Sequence, residues 1–296
     1  MSQKFLITGA TGHYGGGLAQ SLSAAGFTQE VAVLVRDKES EKAKNLTKLG
    51  FEIRQGSYTD ATTLEHAFQG VNVLFFVSAS DIEGRQAQHL NVLEAARKAG
   101  VGHIIYTSAG HKNTAADGPL YPVMSAHIET EKWLQSSGLQ YTILRHNLYA
   151  EVIPMFVGDK AALTQSQTLF YPAADGLTAF VAREDLIEAG VKIVKEIDHH
   201  INKIYALNGK VNLGFEKVAS MIAEITGTPI SYVSPELTSY SKVMEGYGVP
   251  APIIDLLLMF AQGIAQGEFE TTDNDLPGIL GRAPIDLATF LQRAYV

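Results

Sequence analysis

The sequence predicts an α/β fold, a doubly wound parallel sheet with a smaller, discontinuous C-terminal lobe. Three observations carry that reading. Glycine recurs just past successive helical stretches, and a short apolar run follows each time. One such run, VNVLFFV (71–77), is almost continuously apolar, as a strand covered on both faces requires. The stretch ITGATGHYGGG (7–17) places five glycines in eleven residues between a predicted strand and a predicted helix. Strands alternating with helices imply crossover connections and a parallel sheet.

Along the chain, Lys4–Thr8 reads as the first strand, and the first helix opens near His13. The glycines that close the following helices are Gly26, Gly50, Gly70, Gly100 and Gly138. Glycine just past a helix end adopts the left-handed cap conformation at low cost. In LNVLEAARKAG, Leu90, Leu93 and Ala96 form the expected apolar stripe of a crossover helix. The pattern loosens after about Tyr149. Two extended runs remain, Leu177–Ala182 and Lys203–Gly209, among more helical pieces such as FEKVASMIAEITG and PELTSYSKVMEGYG. Ile253–Ala265 is strongly apolar but contains Asp255 and is too short to span a bilayer. It reads as a buried or pocket-lining helix, with Pro250 and Pro252 suited to its entry.

Composition narrows the partners. The chain has 296 residues, 46% hydrophobic and 18% charged, with a net charge of −8 and no Lys/Arg run. Nucleic acid and anionic membrane are therefore not expected partners. Cysteine is absent, which excludes disulfides and thiol nucleophiles and suits a cytoplasmic protein. MSQKFLITGATG does not read as a signal peptide, because its apolar part is short and runs into glycines. No coiled-coil heptads are visible, and a monomer or homodimer is expected.

The glycine loop points to a dinucleotide. Gly9 permits the tight turn, Gly12 lets the backbone approach a pyrophosphate, and Gly15 lets the helix pack against the strand. Gly9, Ala10, Thr11, Gly12, His13, Tyr14 and Gly15 form the expected cradle, with the amides of Gly12–Tyr14 aimed at phosphate. A glycine-rich turn without a ligand is the alternative. The second strand ends in Arg36, where a site selecting the free ribose hydroxyl would carry Asp or Glu. Arginine there pairs with a 2′-phosphate and favours NADP(H), although Asp37 beside it could accept a hydroxyl instead. These readings predict a nucleotide-binding domain over residues 1–150, returning at about 177–209. Residues 151–176 and 210–296 form the expected substrate lobe covering its mouth.

TGATGHYGG, VLVRD, QHLNVLEAARKAGVGHIIYTSA, HIETEKWLQSSGLQYTILRHNLY and DLPGILGRAP together resemble the NmrA-like branch of the atypical short-chain dehydrogenase/reductases. Within that branch they are most similar to the NAD(P)H:quinone oxidoreductases and triphenylmethane-dye reductases. The resemblance runs nearly end to end. It implies a Rossmann domain with a small C-terminal lobe, an NADP(H) cofactor and no metal. The branch also contains cofactor-sensing regulators without catalysis.

One departure from the wider superfamily is informative. Counting back from Glu131, the positions of its Tyr-x-x-x-Lys pair hold Val123 and His127, and Tyr121 is out of register. Oxidising an alcohol needs a positioned base, so dehydrogenase or nucleotide-sugar epimerase chemistry is disfavoured. Reducing a quinone asks for less, because charge lands on a phenol-like oxygen of pKa about 10.

Rossmann ligands sit beyond the carboxyl ends of the strands. There, the small residues Ser78, Ala79 and Ser80 would let the cofactor ribose and nicotinamide pass close, or form an ordinary turn; Val77 before them is a further cofactor-binding candidate. Ser57 and Tyr58 are candidates near the adenine, although the family more often has an acidic residue at position 57. Thr107 and Ser108 lie near the nicotinamide by resemblance, and Ser108 could donate to a substrate oxygen or cap its loop. His127 could hold the nicotinamide ribose, donate a proton, or be structural. Asn147 is a further cofactor contact. Tyr149 offers an aromatic face and a hydroxyl, or is a core tyrosine. Phe156, Phe170 and Met259 line a pocket or a core. Asp198, His199 and His200 lack a third ligand in register and read as solvated. The expected function is an NADPH-dependent reductase of quinone-like acceptors, with His127 and Tyr149 as the catalytic candidates. A non-catalytic redox sensor is the alternative.

Overall fold

The computed structural model describes residues 3–296. In chain order the strands are β1 (Phe5–Ile7), β2 (Val31–Val35), β3 (Glu52–Gln55), β4 (Val73–Phe76), β5 (His103–Ala109), β6 (Gln140–His146), β7 (Thr168–Phe170), β8 (Lys203–Leu207) and β9 (Ser231–Val233). The helices up to β6 are α1 (His13–Ala24), α2 (Glu41–Lys48), α3 (Ala61–Ala67), α4 (Arg85–Lys98) and α5 (Tyr121–Ser136). Then come α6 (Ile153–Val157), α7 (Lys160–Ser166), α8 (Arg183–Lys195), α9 (Phe215–Thr226), α10 (Leu237–Gly246), α11 (Ala251–Ala265), α12 (Leu276–Leu280) and α13 (Leu287–Tyr295).

The chain forms two compact units. One comprises residues 1–109, 123–145 and 186–205, the other 110–122, 146–185 and 206–296. The first is built on a seven-stranded sheet of order β3-β2-β1-β4-β5-β6-β8. β1 pairs in parallel with both β2 and β4, β2 with β3, and β4 with β5. This is the doubly wound α/β fold the glycine-punctuated repeats predict. Strand order reverses between β1 and β4, which places the ligand crevice at the carboxyl ends of those two strands.

The core strands earn their places by side-chain character. β2 and β4 are buried along their whole length. On one face, Leu64 and Phe68 from the α3 region, Val92, Leu93 and Ala96 of α4, and Leu134 of α5 close over Leu6, Leu74 and Phe76. On the other, Gly190 lets α8 approach α1 and β4: a Cβ there would lie 2.8 Å from the Tyr14 hydroxyl and 3.2 Å from Leu18. Gly26, Gly50, Gly70, Gly100 and Gly138 all have positive φ, as helix-terminating caps require.

The predicted stripe on α4 needs correction. Leu90 is 50% exposed, and the buried row begins instead at His89, with Val92, Leu93 and Ala96. Apolar periodicity places Leu90 wrongly because the residue that occupies the core position is a histidine.

The second unit carries a parallel two-stranded sheet, β7 with β9, which the sequence pattern does not reveal. Around it Tyr171 stacks on Phe156 at 5.1 Å and meets Phe215 edge-on at 5.0 Å. Phe170 stacks on Tyr240 at 5.9 Å. Phe156 is thus a core residue. Leu177–Ala182 is not a strand. Its backbone is shared among different neighbours: Thr178 exchanges hydrogen bonds with Leu213, Ala179 N donates to the Phe269 carbonyl, and Val181 N donates to that of Leu148. No single partner runs beside it long enough to make a ladder. Lys203–Gly209 does supply β8. α11 buries Ile254, Leu257, Ala261 and Ile264, with Pro250 at its N-cap and Pro252 in its first turn, the entry expected.

Candidate active site

The glycine loop folds as its spacing requires. Gly9 adopts φ +62°, and Gly12 N donates to the Gly9 carbonyl at 2.9 Å, closing the turn after β1. A Cβ at Gly15 would lie 2.5 Å from that same carbonyl oxygen. α1 therefore starts as close to the strand as a backbone can. Its N-cap is Gly12, with no side-chain cap, so the first-turn N–H groups have no intrahelical acceptor. Gly12 and His13 are exposed, while Ala10, Tyr14 and Gly15 are buried. The Tyr14 ring packs on Phe75 and its hydroxyl donates to the Leu186 carbonyl at 3.2 Å. Its side chain braces α8. The Gly12 amide, expected at the phosphate, is engaged in closing the turn; the bare glycine backbone and the helix start that follows it still suit a pyrophosphate.

Beyond β2, Arg36 is exposed, and only its carbonyl is engaged, by Gln55 Nε2 at 3.1 Å. Asp37 Oδ1 accepts the Glu39 amide at 2.8 Å. That carboxylate is engaged in its own turn, which weakens the hydroxyl-binding alternative. Lys42, on the first turn of α2, reaches across to donate to the Thr11 carbonyl at 3.0 Å. The ammonium of Lys42 thus adds positive charge to the loop, and the charge of Arg36 acts on Tyr58. Sequence reasoning missed Lys42, since nothing local marks it among four lysines between residues 38 and 48.

The loop after β4 is held by side chains. Val77 N donates to Thr8 Oγ1 at 2.9 Å, and the Tyr58 hydroxyl donates to the Val77 carbonyl at 2.7 Å. Ser78 N donates to Thr107 Oγ1 at 2.9 Å, and Ala79 N to His89 Nε2 at 3.1 Å. Arg85 donates to the carbonyls of Ser80, Asp81 and Val123. Asn91 Nδ2 donates to the Tyr58 carbonyl at 2.9 Å. Tyr58 and Thr107 therefore act here as supports. Gly9 lies directly against this loop, since a Cβ on it would sit 3.1 Å from Val77 Cβ. Gly9, Val77, Ser78 and Thr107 are brought together at the switch point. Ser57 is set back in the β3–α3 turn, bonded to Thr59 and Thr63.

On β5 and α5, Ser108 donates to Glu131 Oε1, and Glu131 also takes Nε and Nη2 of Arg145. With its proton held there, Ser108 has none for a substrate oxygen. His127 is 6% exposed, and its Nδ1 lies 2.7 Å from the Tyr106 hydroxyl. Burial first, and then the Arg85 charge, lower His89 to about 3. His89 and Tyr106 were missed because both sit within an apolar pattern, and Arg85 because the polar run EGRQ around it reads as surface. A polar residue at a core position of that pattern was the available signal.

The second unit holds Asn147 and Tyr149. Asn147 is buried, its amide donating to Asn208 Oδ1 at 2.7 Å and to the Phe269 carbonyl at 3.0 Å. Its Oδ1 accepts Leu148 N. Both ends of the side chain are engaged internally. The Tyr149 hydroxyl pairs with His146 Nδ1 at 2.9 Å, and the Arg183 guanidinium lies 5.1 Å from its ring centre. Burial raises Tyr149 to about 12, so it keeps its proton. His199 is strongly exposed, and His200 Nδ1 pairs with the Tyr205 hydroxyl at 2.8 Å.

Comparison with known proteins supplies the decisive observation. The NmrA-like family model matches residues 1–276. The chain belongs to the NmrA-like family. This NmrA-like protein is 30% identical to quinone oxidoreductase 2 of Escherichia coli (strain K12) over 282 residues, covering 95% of each. Its fold superposes with a TM-score of 0.90 on the NADPH complex of an NADPH-dependent quinone oxidoreductase from Escherichia coli. That match is 29% identical and covers 99% of this chain and 100% of the other. Triphenylmethane reductase of Citrobacter sp. matches at a TM-score of 0.88 and 30% identity, covering 99% of both chains. Among the described residues, no helix of this NmrA-like protein is long and apolar enough to cross a membrane.

Proposed function

We propose that this NmrA-like protein is a cytoplasmic NADPH-dependent reductase of quinones and similar flat, conjugated acceptors. The observation that carries the cofactor half is the turn Gly9–Gly15, where glycines 9, 12 and 15 leave backbone bare, with Lys42 on its Thr11 carbonyl and Arg36 just past β2. The end-to-end likeness to reductases supports catalysis over sensing.

In this reading the amides at the start of α1 bind the pyrophosphate, aided by the helix dipole. Arg36 and Lys42 bind the 2′-phosphate, with Asp37 engaged elsewhere. Val77–Ala79, rigid through their supports, form the ledge for ribose and nicotinamide. The bound cofactor supplies hydride. The chain's part is to position the acceptor for that transfer and to stabilise the charge that develops on its oxygen. His127 and Tyr149 are the donors for that task. Val123 and His127 stand where alcohol chemistry would place its Tyr–Lys pair, so no activated base is assigned.

Steady-state assay with NADPH and a small benzoquinone is expected to show cofactor oxidation, reduced by substitution of His127 or Tyr149. No turnover across a broad panel of quinones and dyes would overturn the reading.

A further inference from the structure

His127, Tyr106, His89 and Thr130 form a buried cluster among β5, α4 and α5. The direction of its protons can be read from two backbone groups. The Ala79 amide can only donate, and it donates to His89 Nε2 at 3.1 Å. Neutral imidazole carries one hydrogen, so that of His89 sits on Nδ1. Nδ1–H then donates to Thr130 Oγ1 at 2.9 Å. The Ala126 carbonyl can only accept, and Thr130 donates to it at 2.6 Å. The Tyr106 hydroxyl faces two imidazole nitrogens and the Thr130 hydroxyl, which already takes the His89 hydrogen. His89 Nδ1, 3.5 Å away, already carries a hydrogen. His127 Nδ1, at 2.7 Å, makes the shortest of these contacts and is the acceptor the geometry favours. Burial holds His89 neutral and raises Tyr106 well above an ordinary phenol, so neither premise changes near neutral pH.

We infer that Tyr106 is a positioning residue that fixes His127 as its Nε2–H tautomer, so that His127 meets its ligand as a hydrogen-bond donor and not as a base. The functional half of this inference rests on the reading of His127 as a site residue given above. A bare Nε2 would suit removal of a proton from an alcohol. An Nε2–H instead suits an oxygen that gains negative charge as hydride arrives, or a ribose hydroxyl that must be oriented. The single network also joins the Ala79 ledge to the orientation of His127, because the same His89 that holds the ledge denies Tyr106 any other imidazole acceptor.

The test is ¹⁵N NMR of the full chain labelled at histidine. The wild type is expected to show His127 protonated at Nε2 and His89 at Nδ1. Tyr106→Phe is expected to let His127 populate both tautomers while His89 stays unchanged, which also reports an intact cluster. His127 protonated at Nδ1 in the wild type, or a tautomer unchanged in Tyr106→Phe, would overturn the assignment. The wild-type spectrum decides the tautomer even if the variant does not fold. In kinetics, loss of this bond is expected to lower quinone kcat, or raise the Kd for NADPH, by about fivefold. If neither moves while the tautomer does, the functional half is wrong. A chain with the expected tautomers that reduces no quinone would instead overturn only the proposed activity, since the spectrum needs no turnover.

Discussion

Gly15 presents its bare α-carbon to the Gly9 carbonyl so closely that a Cβ would stand 2.5 Å from the oxygen and 2.7 Å from its carbon. Both atoms belong to backbone, so neither can swing aside. Gly15→Ala is therefore expected to push α1 away from the turn and raise the Kd for NADPH at least about tenfold, roughly 1.4 kcal/mol. Fluorescence titration with NADPH checks it; Gly278→Ala, where a Cβ meets nothing, is the control.

Arg36 and Lys42 should separate the two nicotinamide cofactors. A hydrogen bond to a charged group contributes about 1.5–3 kcal/mol. Arg36→Ala is expected to lower the NADPH/NADH affinity ratio by at least about tenfold. Lys42→Ala should lower it less, because that ammonium also serves the Thr11 carbonyl. Calorimetric titration of both cofactors reads the ratio directly. An unchanged ratio in Arg36→Ala would refute the 2′-phosphate assignment.

Arg145→Ala should destabilise the fold. It would leave Glu131, 3% exposed, with a buried charge and only the Ser108 hydroxyl beside it. Breaking a buried pair from one side costs about 3–5 kcal/mol, and the lower end applies because Arg145 is one-third exposed. Denaturant unfolding measures it, and the Arg145→Ala/Glu131→Gln double variant should recover part of the loss.

Stability should fall on mild acidification. Burial lowers His89 and His146 to about 3 and His103 to about 4, against an ordinary 6.5. Below pH 6.5 the unfolded chain takes up protons that the folded chain refuses. Stability is full above 6.5 and is lost progressively as pH falls towards 3–4. Each histidine is expected to cost about 2 kcal/mol between pH 7 and pH 5. Urea unfolding across that range checks the slope, and His89→Gln should make it shallower.

Tyr149→Phe removes one hydroxyl from a residue held by His146 and Arg183. If Tyr149 supports developing charge, kcat for quinone reduction should fall about tenfold or more, with the Kd for NADPH unchanged. Equal kinetics in the variant would return Tyr149 to a packing role.

Much of the fold was legible because its signals are local. Gly26, Gly50, Gly70, Gly100 and Gly138 end helices by their own backbone preference. VNVLFFV declares a strand buried on both faces by its composition. The glycine loop announces a phosphate site within one turn of chain. Leu177–Ala182 misled because extended, apolar chain looks the same whether it meets one neighbour or three. Leu90 misled because a count of apolar residues cannot see a histidine in the core.

The sequence by itself thus determined the parallel sheet, the glycine loop after its first strand and the arginine that follows its second; the strand order, and with it the switch point, belongs to the structure. Only the tertiary structure decided which polar groups are engaged and in which direction they donate. Ser108 is tied to Glu131, Asn147 to Asn208 and Lys42 to Thr11, each more than twenty residues away along the chain. A hydrogen bond depends on distance to a few tenths of an ångström and on angle. Helix and strand periods record burial, but that geometry exists only once distant segments have packed.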